Sequence, residues 1–224
     1  MPGSKTISPY KKRMEYAELL RPYLEDLASG KPAPGGGSAA ALVGALAASL
    51  VCMVANFTVG KEKYREFEEE ARDVLREAEE IKYALLRLAD EDVKAYQSYV
   101  QARSLPKNTA GEKEERKQAI GKAILRATQV PLHVMEKSLR ILELNKALLG
   151  RSNPYLVSDI GVSAEFAHAS LNSACFNVQI NLPYLEESTR RKIREKVKFI
   201  REKDSSLYQE VVAEARRGVG DFRL

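Results

Sequence analysis

The residues with the most chemical potential fall at four places in the chain. Asp92 is the first. Apolar positions Phe67, Ala71, Val74, Ala78, Ile81, Leu85 and Leu88 step by four and three along one helical face, and the next step lands on this carboxylate. A carboxylate on an apolar seam costs free energy unless it is paired or used. Burial raises its pKa, which suits a general acid or base; the competing reading is an ion-pair partner for a Lys or Arg of another helix. The second place is Gly35-Gly36-Gly37-Ser38, where a loop rich in conformational freedom runs into an apolar helix capped by Ser38. Its N–H groups, at the positive end of that helix, suit an anion. No Lys-Ser or Lys-Thr follows and no strand precedes, so it is neither a Walker loop nor a dinucleotide fingerprint.

The third place is the stretch 158–182, whose polar residues are nearly all uncharged, among them Ser163, His168, Ser170, Asn172, Asn177 and Asn181. Asn177 and Asn181 share a face, as do His168 and Asn172. They either close an internal hydrogen-bond network or read the donors and acceptors of a heterocycle. Asp159 opens the same stretch, where an acidic residue also favours a helix N-terminus. The fourth place is Pro131, inside an otherwise helical run. It frees the carbonyl of Ala127, leaving either a kink or a functional acceptor.

The elements that must position these groups are all helical. An opening helix at Ser8-Pro9 is expected to kink or restart at Pro22 and to end at Gly30. Residues 39–57 carry no charge and are mostly Ala, Val, Leu, Gly and Ser, so this helix must be surrounded on every side. Its length approaches that of a membrane span. Its small residues and the lack of a second apolar span favour the centre of a bundle or a subunit interface. The long seam of 61–104 follows. A helix capped by Asn108 or Thr109 comes next, with Ile120, Ala123, Ala127, Val130, Val134, Ile141 and Leu148 inward. The stretch 158–182 comes after that, and a last helix carries Ile193, Val197, Ile200, Leu207 and Val211. No segment shows strand alternation. The expected fold is all-α, an antiparallel bundle of long helices around a small-residue central helix. It forms one domain over 1–224, with 1–8 and 218–224 flexible.

Lys and Arg total 36 against 31 Asp and Glu, a net charge of +5 with the signs interspersed, which favours anionic partners only weakly. The basic run from Arg190 to Lys203 contains Glu195 and Glu202 and reads as a solvated face, not a nucleic-acid surface. Cys52 and Cys175 sit in apolar segments without metal-ligand spacing, and the N-terminal residues lack a secretory pattern. The expectation is therefore a reduced cytoplasmic protein with no metal and no membrane association.

Three strings together resemble the C-terminal part of the formiminotransferase-cyclodeaminase family: KPAPGGGSAAALVGALAASLVCMVANFTVGKEKY, LADEDVKAYQSYVQARSLP, and NPYLVSDIGVSAEFAHASLNSACFNVQINL, with VPL at 130–132 between the last two. The resemblance implies a stand-alone, homodimeric helical domain that handles tetrahydrofolate with no cofactor beyond that substrate. It implies a cyclodeaminase that converts 5-formiminotetrahydrofolate to 5,10-methenyltetrahydrofolate and ammonia, with methenyltetrahydrofolate cyclohydrolase or simple folate binding as alternatives. Under it Asp92 is the catalytic group, with Asp159 next. Asn177 and Asn181 orient the pterin, Gly35 to Ser38 with Lys61 or Lys63 hold the carboxylate tail, and Asn153 and Ser158 complete the binding set.

Overall fold

The computed structural model describes residues 15–220, and among these there are six α-helices and no strand. They are α1 (Tyr16–Ala28), α2 (Gly36–Asn56), α3 (Glu68–Ser104), α4 (Ala110–Leu148), α5 (Val157–Asn181) and α6 (Glu187–Val219), with short 3-10 turns over 62–67, 154–156 and 182–184. From α2 onward each helix packs on the next, and the short connections make consecutive neighbours antiparallel. One apolar core runs through α2 to α6.

The seams read from the sequence face that core. Phe67, Ala71, Val74, Ala78, Ile81, Leu85 and Leu88 of α3 are all buried, as are Val130, Val134, Ile141 and Leu148 of α4. Thr109 caps α4 in a reciprocal box, its hydroxyl accepting from Glu112 N–H while the Glu112 carboxylate accepts from Thr109 N–H. Gly150, at φ +69°, follows the last turn of α4.

Helix α2 is long and apolar enough to cross a bilayer, yet most of it is buried against α3, α5 and α4. It packs closely on α5, because both helices present small residues. Ser170 of α5 donates to Ala40 C=O at 2.7 Å and accepts from Ser138 of α4 at 2.9 Å. Ser163 likewise donates to Ala47 C=O at 2.9 Å and accepts from Asn145 at 2.8 Å. These four buried side chains therefore pin the register of three helices, which is the internal-network reading for this part of α5.

Two expectations are corrected. Helix α1 passes through Pro22 without restarting; none of its residues is buried, so the carbonyl that Pro22 leaves unbonded is open to water. Helix α2 starts at Gly36 with Gly35 as its cap residue, placing Ser38 inside the first turn and not at the cap. Helix α6 runs to Val219, with Gly218 close against Val157. The expected start at Ser8-Pro9, the 1–8 segment and residues 221–224 lie outside the described residues.

Gly44 tests the close α2–α5 contact. A Cβ there would sit 2.8 Å from Ser170 Oγ and 3.1 Å from Leu85 Cδ1. Gly44→Ala should destabilise the fold by ~1–3 kcal/mol, read as a lower melting temperature by circular dichroism. An unchanged melting point would show that the contact is loose.

Candidate functional site

The glycine-rich loop and α2 bring the first turn of that helix against the middle of α3. There the Asp92 carboxylate accepts from the Ser38 backbone N–H at 3.1 Å. Asp92 thus does from another helix what an N-cap side chain does locally, and the positive end of α2 favours its charge. Gly37 makes the approach possible: a Cβ on it would lie 2.5 Å from the Asp92 carboxyl carbon. No Lys or Arg pairs with Asp92 among the described residues, so the ion-pair reading has no partner there. Burial raises the Asp92 pKa above the ordinary carboxylate value, and the Ser38 N–H offsets part of that rise.

Asp92 opens into a cleft of about 450 Å³. The loop residues Pro32 to Gly37 form one wall, Ile124 and Ala127 of α4 another, and Asn177 and Asn181 of α5 a third, with Tyr96, Tyr99 and Tyr184 around them. Asn181 donates its amide to Ala127 C=O and to Asn177 C=O, both at 3.1 Å, and Asn177 donates to Ser173 C=O at 3.0 Å. Asn181 thereby spends both amide protons on backbone carbonyls and Asn177 spends one, and the side-chain oxygen of each accepts no hydrogen bond among the described residues. A Cβ on Gly36 would lie 3.9 Å from the Asn177 side-chain oxygen. The cleft therefore offers one carboxylate and two amide oxygens as acceptors, with three tyrosines beside them. No described residue lining it is a Lys or Arg. Such a surface suits a flat heterocycle that is rich in donors or positively charged.

Sequence reasoning places Gly35, Gly36, Gly37, Ser38, Asp92, Asn177 and Asn181 in the site, and the structure brings these together. It does not bring the rest to them. Lys63 and Asn153 line a separate cleft of about 850 Å³ with Arg151, Glu214 and Arg217. Lys61 is exposed beyond the other end of α2, and Ser158, in the first turn of α5, lines a cleft with the end of α6. Asp159 is in the first turn of α5, ~27 Å along the helix from Asn177 at about 1.5 Å per residue. That position matches the helix-end reading of Asp159. The anion expected at the glycine loop is supplied internally, by Asp92. The seam read from the sequence extends from Asp92 to Tyr99, but no site role follows for Tyr99, Tyr96 or Tyr184 from periodicity alone. The spacing of Tyr96 and Tyr99 from Asp92, at +4 and +7, is the signal that puts them on its face.

A larger groove of about 860 Å³ lies between α5 and α6. On it His168 is paired with the buried Asp204 at 2.9 Å and stacked on Tyr208 with centroids 3.9 Å apart. These groups satisfy one another, and the groove lacks a backbone wall like the glycine loop.

The family model described as formiminotransferase-cyclodeaminase matches residues 19–199. The chain belongs to that family. A methenyltetrahydrofolate cyclohydrolase of Methylorubrum extorquens is 39% identical over 170 residues, covering 76% of this chain and 82% of the relative. The formimidoyltransferase-cyclodeaminase of Rattus norvegicus is 31% identical over 203 residues, 91% of this chain but 36% of the relative, so the chain spans about a third of that longer protein. The crystal structure of a formiminotetrahydrofolate cyclodeaminase from Thermotoga maritima superposes with a TM-score of 0.80 at 29% identity, covering 92% of this chain and 98% of the other. The all-α bundle is thus the cyclodeaminase helical fold.

The carboxylate–glycine contact makes a structural prediction independent of substrate. Gly37→Ala should lower stability by ~1–3 kcal/mol through overpacking. Combining it with Asp92→Ala should recover most of that loss, because the clash is with the Asp92 carboxyl group. Thermal melts of the two single variants and the double variant check it; strictly additive losses would contradict it.

Proposed function

We propose that the chain is a methenyltetrahydrofolate cyclohydrolase, in which water opens the one-carbon bridge between N5 and N10 of 5,10-methenyltetrahydrofolate. The observation that carries the reading is the partly buried Asp92 carboxylate in a cleft whose opposite wall presents two amide oxygens. The methenyl bridge is a cation, and a desolvated anion held on a helix N-terminus is matched to it. The likeness to the Methylorubrum cyclohydrolase, which is of similar length, supports this choice of reaction.

Asp92 can carry both proton transfers. As water attacks the bridging carbon, the carboxylate takes one of its protons. The C–N bond to one bridge nitrogen then breaks, that nitrogen takes the proton back from Asp92, and the carbonyl forms with loss of the second water proton. One proton is released overall, giving the formyl derivative. Asn177 and Asn181 accept from the pterin's N–H groups, and the tyrosines flank the ring. The glutamate tail has no cation in the described cleft and runs outward over its rim. The chemistry is acid–base and needs no metal and no cofactor beyond the folate.

A second reading, cyclodeamination, is supported by the Thermotoga structure. There N10 attacks the carbon of the protonated formimino group (N5–CH=NH2+), Asp92 takes the N10 proton and returns it to the resulting NH2 group, and ammonia leaves as the methenyl cation forms. The same carboxylate serves both reactions, so the substrates must distinguish them. A homodimer is part of the proposal as well. One side of α2 carries Leu42, Leu46, Leu50, Met53 and Phe57, with Leu46 56% and Phe57 51% exposed, a stripe that a second copy would cover.

The near-ultraviolet absorbance of methenyltetrahydrofolate decides between the readings. Its loss when added to the enzyme supports the hydrolase, and its appearance from 5-formiminotetrahydrofolate supports the deaminase. Neither change, with tight binding retained, would leave a folate-binding protein. Asp92→Asn should cut turnover by ~100-fold or more. Because the native pKa of Asp92 is raised, its ionisation opposes folding once the pH exceeds the ordinary carboxylate range. Asp92→Asn should therefore melt as high as wild type or higher at pH 7, with the difference fading in acid. A variant that keeps full activity removes Asp92 from the mechanism. Sedimentation at micromolar concentration should show a dimer, and a folded monomer would contradict that part of the proposal.

A further inference from the structure

We infer that Pro131 is a positioning residue: the N–H it lacks leaves the Ala127 carbonyl to aim Asn181 into the cleft. The inference rests on the folate reading of that cleft. In a regular helix the N–H of residue 131 would bond Ala127 C=O. Proline has no N–H, and its ring crowds the carbonyl four residues back, pressing it off the helix axis. Helix α4 nevertheless runs unbroken from Ala110 to Leu148, with Pro131 buried in its interior. The freed carbonyl is not left to water. Asn181, on α5, donates to it at 3.1 Å.

The second N–H of the same amide goes to Asn177 C=O. Both protons of Asn181 therefore meet carbonyl oxygens, one on each of two helices. Turning the amide over would set its oxygen against two other oxygens, so its orientation is fixed by chemistry. The oxygen it leaves unbonded belongs to the cleft that Asp92 lines. Asn177 has one such anchor and Asn181 has two; the extra one exists because residue 131 is proline. A proline that merely bends α4 would have no effect on this amide.

The two readings of Pro131 differ in one experiment. Pro131→Ala restores a backbone hydrogen bond in the middle of α4, so it should melt above wild type, by about 3 °C or more. The restored bond draws the Ala127 carbonyl back to the helix axis and loosens Asn181. The KM for methenyltetrahydrofolate should then rise ~10-fold, an expected loss of one good hydrogen bond to substrate, with the change falling on KM and not on kcat. Asn181→Ala should raise KM to a similar extent. The double variant should lose no more than the worse single variant, because both remove the same aim. A Pro131→Ala protein with wild-type KM, or one that melts lower or does not fold, overturns the inference, as do additive losses in the double variant. A wild-type protein inert toward both folates is a different result. It overturns the functional reading, and the KM assignment with it, before any variant is compared.

Discussion

A carboxylate set against the start of a helix, with a glycine between them, is the contact around which the cleft is built. Asp92 satisfies one of the free N–H groups of α2, and α2 in turn supplies the positive end that lets an unpaired carboxylate remain in a partly buried place. Neither side works alone. Without Gly37 the carboxylate cannot reach Ser38 N–H, and without Asp92 the first turn of α2 faces the cleft with its donors open. The result is a group whose charge is held by dipoles and not by a counter-cation, leaving that charge available to a substrate.

The rest of the bundle keeps this contact in place. Helix α2 can lie against α5 because Gly44 and the alanines of both helices leave room, and the serines of α5 use that room to reach α2 carbonyls. The same closeness carries the C-terminal turns of α5 to the glycine loop, so Asn177 and Asn181 stand opposite Asp92. One helix pair thus does two jobs: its middle fixes register through buried hydroxyls, and its end presents amide oxygens. The two amide oxygens are left free because amide N–H groups go to backbone carbonyls of α4 and α5, both protons of Asn181 and one of Asn177.

Much of this was legible in the residues. The four-and-three seam of α3 is periodic over many turns, so both its buried face and the odd carboxylate on it stood out. The small-residue character of 39–57 predicted a central helix, and the proline at 131 predicted a free carbonyl at Ala127. The sequence could not reveal which end of each helix meets which. Asp159, Ser158, Asn153, Lys61 and Lys63 belong to family-like strings but sit at the far ends of α2 and α5, a separation that only the direction of the helices sets. Ser38 looked like a cap because local pattern favours a hydroxyl; the acceptor came instead from a residue 54 positions away.

In the proposed mechanism the ionised, partly buried Asp92 handles the protons. The pH dependence of kcat/KM for methenyltetrahydrofolate tests it most directly. A base must be ionised to act, and burial moves this ionisation upward, so activity should be lost as the pH falls through a pKa above the ordinary carboxylate range. The expected profile has one such ascending limb, and Asp92→Asn should retain only a residual rate without it. A profile that is flat through that range, or a limb that persists in Asp92→Asn, would contradict the account.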